Sequence, residues 1–85
     1  MPYPHEHACR VRDPDGFEPG TFRSTDRIHD GKRYRVILGK LRGKSGHDDP
    51  MVEQTYRYPS DAWTADEAAS HCRMHGGKLF EPATE

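Results

Sequence analysis

The sequence predicts an α+β fold: a small three- to four-stranded, mostly antiparallel sheet with one α-helix, about residues 64–75, packed across one face. Three observations predict it. Apolar and polar residues alternate with a period of two in several stretches before residue 60. A capping box, Thr64-Ala65-Asp66-Glu67, opens a single helical run. Gly76-Gly77 closes that run, because glycine accepts the left-handed conformation that ends a helix.

Residues 1–6 read as a flexible arm and residues 81–85 as a polar tail of one domain, 1–85. From His7 to Arg12 the side chains alternate, with His7, Cys9 and Val11 on one face and Ala8, Arg10 and Arg12 on the other, as in a half-buried strand. Asp13-Pro14-Asp15-Gly16 is a turn, since proline fixes φ and glycine tolerates φ > 0. Phe17 and Phe22 flank Pro19-Gly20 as single apolar anchors of an irregular loop, and the polar stretch 23–32 continues it as a mobile segment with little to bury.

Arg33 to Leu41 is the clearest strand, with Tyr34, Val36 and Leu38 on one face and Arg35, Ile37 and Leu41 on the other. After the loop 42–50, Met51 to Tyr58 returns, with Val52, Tyr56 and Tyr58 opposite Glu53, Thr55 and Arg57. Trp63 stands just before the helix cap, where a hydrophobic staple would sit. The helix's apolar stripe is Ala65, Ala68, Ala69 and Cys72, small enough to let it lie close to the sheet, with His71 pointing elsewhere. Leu79 and Phe80 form a short last strand. The expected core is Cys9, Val11, Tyr34, Val36, Leu38, Tyr56, Trp63, Cys72 and Phe80.

Composition narrows the function classes. Only 32% of the 85 residues are apolar, which leaves few side chains for a deep substrate pocket. The net charge is −1, but it is unevenly spread. Residues 23–44 hold eight Lys/Arg against Asp26 and Asp30, a local +6, whereas residues 48–85 hold eight acids against Arg57, Arg73 and Lys78, a local −5. No apolar run approaches the roughly 18 residues of a membrane helix, and the polar start has no signal-peptide pattern. Two cysteines are too few for a disulfide scaffold, so a reducing compartment is expected.

Histidine and cysteine gather near both ends. His5, His7 and Cys9 share one face of a strand, and Cys72 and His75 share one side of a helix. His7, Cys9, Cys72 and His75 make a conceivable S2N2 zinc set. No CxxC pair supports it, and the favoured reading is that Cys9 and Cys72 are small core residues touching one another. A disulfide between them is the further alternative. A buried Cys72 thiol in apolar surroundings is no nucleophile, so no catalytic residue and no cofactor are expected.

Gly39-Lys40-Leu41-Arg42-Gly43-Lys44-Ser45 resembles a phosphate-binding loop but is one residue short, and no helix follows it. The basic residues Arg33, Arg35, Lys40, Arg42, Lys44 and Arg57 are the expected binding surface, with the 23–32 and 42–50 loops. They offer contacts to phosphates, and Tyr34, Tyr56 and Tyr58 offer bases a stacking platform, so nucleic acid is an alternative partner.

Several blocks together resemble a small module carried by tailed bacteriophages and prophages. They are Glu6-His7-Ala8-Cys9-Arg10-Val11-Arg12-Asp13-Pro14, Val36-Ile37-Leu38-Gly39-Lys40-Leu41, Tyr56-Arg57-Tyr58, Trp63-Thr64-Ala65-Asp66-Glu67-Ala68 and His75-Gly76-Gly77, with Phe80-Glu81-Pro82-Ala83 closing. The resemblance covers nearly the whole chain. It implies a module that stands alone or is attached to head-region proteins, and it hands over no functional residues. Look-alikes with Ala at position 9 and Leu at position 72 imply small or apolar groups in contact there rather than metal ligands.

The expected function is therefore a non-catalytic phage interaction module that binds a head component or a host protein, defence proteins included. It would act in the host cytoplasm or on the virion, away from membranes. An ion held between the first strand and the helix, or an open cleft gathering several histidines, would overturn that picture.

Overall fold

The computed structural model describes residues 4–44, 46 and 48–84. Residues 1–3 of the expected arm, Ser45 and His47 of the 42–50 loop, and Glu85 of the tail lie outside the described residues. The elements are β1 (Glu6–Arg10), β2 (Arg23–His29), β3 (Lys32–Gly39), β4 (Val52–Pro59), α1 (Ala65–Met74) and β5 (Leu79–Glu81), with a 3-10 turn at Pro14–Gly16. The fold is α+β, one helix on a five-stranded antiparallel sheet of order β2-β3-β4-β1-β5. Five strands replace the three to four expected, and both Glu6 of the arm and Glu81 of the tail belong to strands.

The extra strand is β2, in the stretch expected to be a mobile loop. Asp30 and Gly31 both take positive φ, 52° and 79°, and join His29 to Lys32 across a two-residue turn. Two left-handed residues give the turn a twist that matches the twist of the flanking strands, so the chain folds straight back. All seven residues of β2 are exposed, because it is the sheet's edge.

A second departure lies in β4. The β3–β4 register shifts between Ile37, opposite Thr55, and Leu38, opposite Glu53, so Gln54 is an extra residue. Its carbonyl accepts from the amides of Val11 and Arg12, and its Nε2 donates to the Arg12 carbonyl at 3.0 Å. The bulge ends the simple alternation expected for 51–58. Glu53, expected beside Thr55 and Arg57, instead bonds the Tyr56 hydroxyl and Arg27 on the helix side.

The core lies between α1 and one sheet face. Cys9, Val11, Tyr34, Val36, Tyr56, Tyr58, Trp63, Ala68 and Cys72 are buried there, and Leu38 and Phe80 pack against them half-buried. Phe17 is buried separately and packs on Phe22 near Gly39, where an added Cβ would come within 2.7 Å of the Phe17 ring. Thr64 caps the helix as expected: its hydroxyl accepts from the Glu67 amide at 3.1 Å, and the Glu67 carboxylate accepts from the Thr64 amide at 2.9 Å. The buried stripe differs. Ala68, His71 and Cys72 are its buried members, while Ala65 is exposed.

Cys9 and Cys72 are not free thiols in contact but a disulfide, joining β1 to α1 across Cα atoms 5.6 Å apart. Each is buried on the facing surface of its element, within the span such a bond requires. Gly77 makes room for it. A Cβ there would lie 2.6 Å from Cys9 Sγ and 2.8 Å from the Cys72 carbonyl oxygen.

Two substitutions test this seam. Replacing both cysteines by alanine opens a loop with a sequence separation of 63; it should lower stability by about 4 kcal/mol in urea unfolding. Gly77→Ala should cost about 1–3 kcal/mol in the oxidised protein, because the methyl displaces the sulfurs. Cys72→Leu should destabilise as well, because it breaks the disulfide.

Candidate functional site

The helix covers one face of the sheet and leaves the other bare. Two rows of cross-strand partners run over the bare face through all five strands. One is Asp26, Arg35, Arg57, Ala8 and Glu81; the next is Ser24, Ile37, Thr55, Arg10 and Leu79. Arg33, paired with Ile28, extends it. Period-two alternation alone produces this sorting: every second residue of β3 and β4 enters the core, and the arginines between them are turned out.

Four guanidinium groups, on Arg10, Arg33, Arg35 and Arg57, therefore share one surface with Ile28, Ile37 and Leu79. Ile28 is 69% exposed and Leu79 47%, while Ala8 and Thr55 at the centre are buried. The acids of this face are Glu6, Asp26 and Glu81. Glu6 lies between two of the arginines, with Oε1 3.3 Å from Arg35 Nη2 and 3.7 Å from Arg57 Nη1.

The six basic residues expected to form one surface divide in two. Arg33, Arg35 and Arg57 stand on the bare face. Lys40, Arg42 and Lys44 lie at the end of the sheet, where Arg42 Nε donates to the Asp15 carbonyl at 2.7 Å and Lys40 Nζ to the Gly46 carbonyl at 2.7 Å. Arg10, Ile28 and Ile37 were not assigned to that surface; the alternation of Ala8 and Arg10 against Cys9 held the signal for the first.

The tyrosines offered as a stacking platform face the opposite way. Tyr34, Tyr56 and Tyr58 are 6%, 1% and 0% exposed beneath the helix. Burial and the Glu53 hydrogen bond push the Tyr56 phenol well above its ordinary range, and burial does the same to Tyr58.

The zinc set is not assembled. The cysteine sulfurs are bonded to each other. The Nε2–H of His7 donates to the Trp63 carbonyl at 3.0 Å, and its Nδ1 accepts from the Ala83 amide at 2.9 Å. Among the described residues no group of three or more His, Cys, Asp or Glu side chains is arranged to hold a metal ion.

A histidine cluster does form, on the helix side. A groove of about 520 Å³ between α1 and the β2–β3 turn is lined by His29, Lys32, Trp63, Glu67, His71 and Met74, among others. Only two histidines, His29 and His71, line this groove, and His71 is buried, so it is not the open cleft of several histidines that would overturn the interaction-module reading. His71, expected to point elsewhere, is 4% exposed. Its ring centre lies 4.8 Å from Tyr34, 5.0 Å from His29 and 4.1 Å from the stacked His75. His71 Nδ1 shares a 2.7 Å hydrogen bond with the Tyr58 hydroxyl. At the rim Lys32 sits over the Trp63 ring, 5.1 Å from its centre, and pairs with Glu67. Lys32 and the Thr64 cap hold the Glu67 carboxyl down at about 2.

No family model, no curated protein and no solved structure matches the chain. No helix among the described residues is long and apolar enough to cross a membrane.

The buried histidine makes stability depend on pH. Burial, with the neighbouring His75 and His29, lowers the His71 imidazole to about 4 from its ordinary 6.5. Falling pH protonates the unfolded chain first, so stability is full above about pH 6.5 and declines toward pH 4, by on the order of 2–3 kcal/mol. Urea midpoints between pH 7 and 4.5 should show this decline, and His71→Gln should flatten it; an unchanged slope in that variant would assign it to other groups.

Proposed function

We propose that the chain is a non-catalytic interaction module that docks an acidic protein surface on the bare face of its sheet. One observation carries this reading: four arginines and three aliphatic side chains share a single surface that none of the described elements covers. Rigid strands fix the spacing of the guanidinium groups, so little order has to be imposed on binding. Arginine beside aliphatic area is also the mixture that protein interfaces favour. The burial of all three tyrosines favours protein over nucleic acid, since a single strand would find phosphate contacts here but no bases stacked on those rings.

The sequence blocks that resemble phage modules support a phage origin, with a head component or a host protein, defence proteins included, as partner. Between the two expected locations, the disulfide favours the virion over the reducing host cytoplasm, where such bonds rarely persist.

Affinity capture from infected cells with the wild-type protein and with Arg33→Glu/Arg35→Glu tests the reading. The wild type should retain an acidic protein, and the variant should lose about tenfold or more in affinity while melting unchanged. Retention of DNA or RNA at low salt, with a steep loss as salt rises, would replace the protein partner by nucleic acid.

A further inference from the structure

The bare face carries a concavity. A hollow of about 290 Å³ is lined by Phe22, Arg23, Ser24, Arg35, Ile37 and Arg57. Arg35 and Arg57 present guanidinium groups to it from the bare face, beside a serine and two apolar residues, with no acidic residue in the lining; Arg23 stands at its edge with Nη1 donating to the Gly20 and Phe22 carbonyls at 3.2 and 2.7 Å. The position follows from register: Arg35 and Arg57 face each other across β3 and β4, Ser24 lies opposite Ile37, and Phe22 enters β2 from the adjoining Phe17 cluster.

Two further observations say what chemistry fits. Arg35 and Arg57 already grip a carboxylate from one side, that of Glu6. Glu6 reaches Arg35 through Nη2 alone, with both its oxygens 3.3 Å away. Arg35 Nε is buried and has no acceptor in the structure. A buried donor left without an acceptor is costly, and an oxygen that displaced what covers that edge of the guanidinium would recover the loss. The guanidinium fork suits a planar carboxylate held by two hydrogen bonds. The floor of Phe22 and Ile37 suits the hydrocarbon stem behind that carboxylate.

We propose that this hollow is the anchor point for a glutamate-type side chain of the partner. Its carboxylate lies against Arg35 and Arg57 on the side away from Glu6, and its methylenes rest on Phe22 and Ile37. The inference rests on the acidic-partner reading above and narrows it to one position. Arg33, Arg10 and Ile28 then form the surrounding surface rather than the centre.

The test uses the oxidised full chain, labelled with nitrogen-15, and a short acetylated Glu-Leu-Glu peptide amide as probe. Titration should shift the Arg35 Nε–H signal and the amides of Ile37 and Ser24. Arg35→Gln and Arg57→Gln should each weaken the peptide by about fivefold or more, and Arg33→Gln by less than twofold. The shifts in the wild-type protein stand as an independent readout should a variant unfold. Shifts confined to Arg10 and Arg33 would overturn the anchor and leave the acidic-partner reading intact. No shift anywhere on the face would overturn both. Inorganic phosphate moving the same signals as tightly as the peptide would overturn the assignment to a carboxylate side chain.

Discussion

The fold depends on how closely one short helix approaches the sheet. α1 is ten residues long and buries only Ala68, His71 and Cys72. An alanine, a histidine and a half-cystine bring little apolar area of their own. The sheet supplies the bulk instead, with Tyr34, Tyr56, Tyr58 and Trp63 filling the layer between. Such an interface is stable only at short range, because dispersion is lost quickly when surfaces part. The Cys9–Cys72 bond and the open space at Gly77 hold the two elements at that range. In a domain of 85 residues, with a limited core, a covalent clamp of this kind is a large share of the total stability.

The clamp explains how a histidine comes to sit in an aromatic layer. His71 is in line with Ala68, Cys72 and His75 on the helix, so anything that pulls Cys72 onto β1 carries His71 onto Tyr58. One ring nitrogen finds the tyrosine hydroxyl. The Nε2 is buried without a partner. Keeping the ring neutral limits that cost, and burial, with the neighbouring His75 and His29, favours the neutral form.

Much of this was legible in the sequence, and the rest failed for identifiable reasons. The helix was readable because Thr64 and Glu67 act locally. β3 was readable because Tyr34, Val36 and Leu38 alternate with polar residues. β2 was not, since an edge strand buries nothing and so carries no apolar rhythm; only Asp30-Gly31 marked the turn. The bulge at Gln54 was hidden because period-two reading assumes no extra residue, and it put Glu53 on the wrong face. His71 was misplaced because it reads as polar, although its spacing from Ala68 and Cys72 allows the buried side. Whether two cysteines 63 positions apart bond is a question of distance, which residue types do not encode. For the candidate site, Arg33, Arg35 and Arg57 were found by charge and alternation. The hollow was not, because it needs strand order, register and the neighbouring Phe22 at once.

The internal pairing of charge differs between the two faces of the sheet. On the helix side each basic residue of the β2–β3 hairpin that could cap the core has an acid to meet it: Arg27 meets Glu53, and Lys32 meets Glu67. Those contacts spend acids of the C-terminal half on tying the edge hairpin to the rest of the fold. On the bare face Glu6 serves Arg35 and Arg57 at once. One carboxylate shared between two guanidinium groups leaves hydrogen-bonding capacity over. The same sequence asymmetry that gives residues 23–44 their excess of positive charge is thus paired acid for base on the helix side, whereas on the outward face one carboxylate is shared between two guanidinium groups. An acidic partner would complete on that face the pairing that the fold completes for itself on the other.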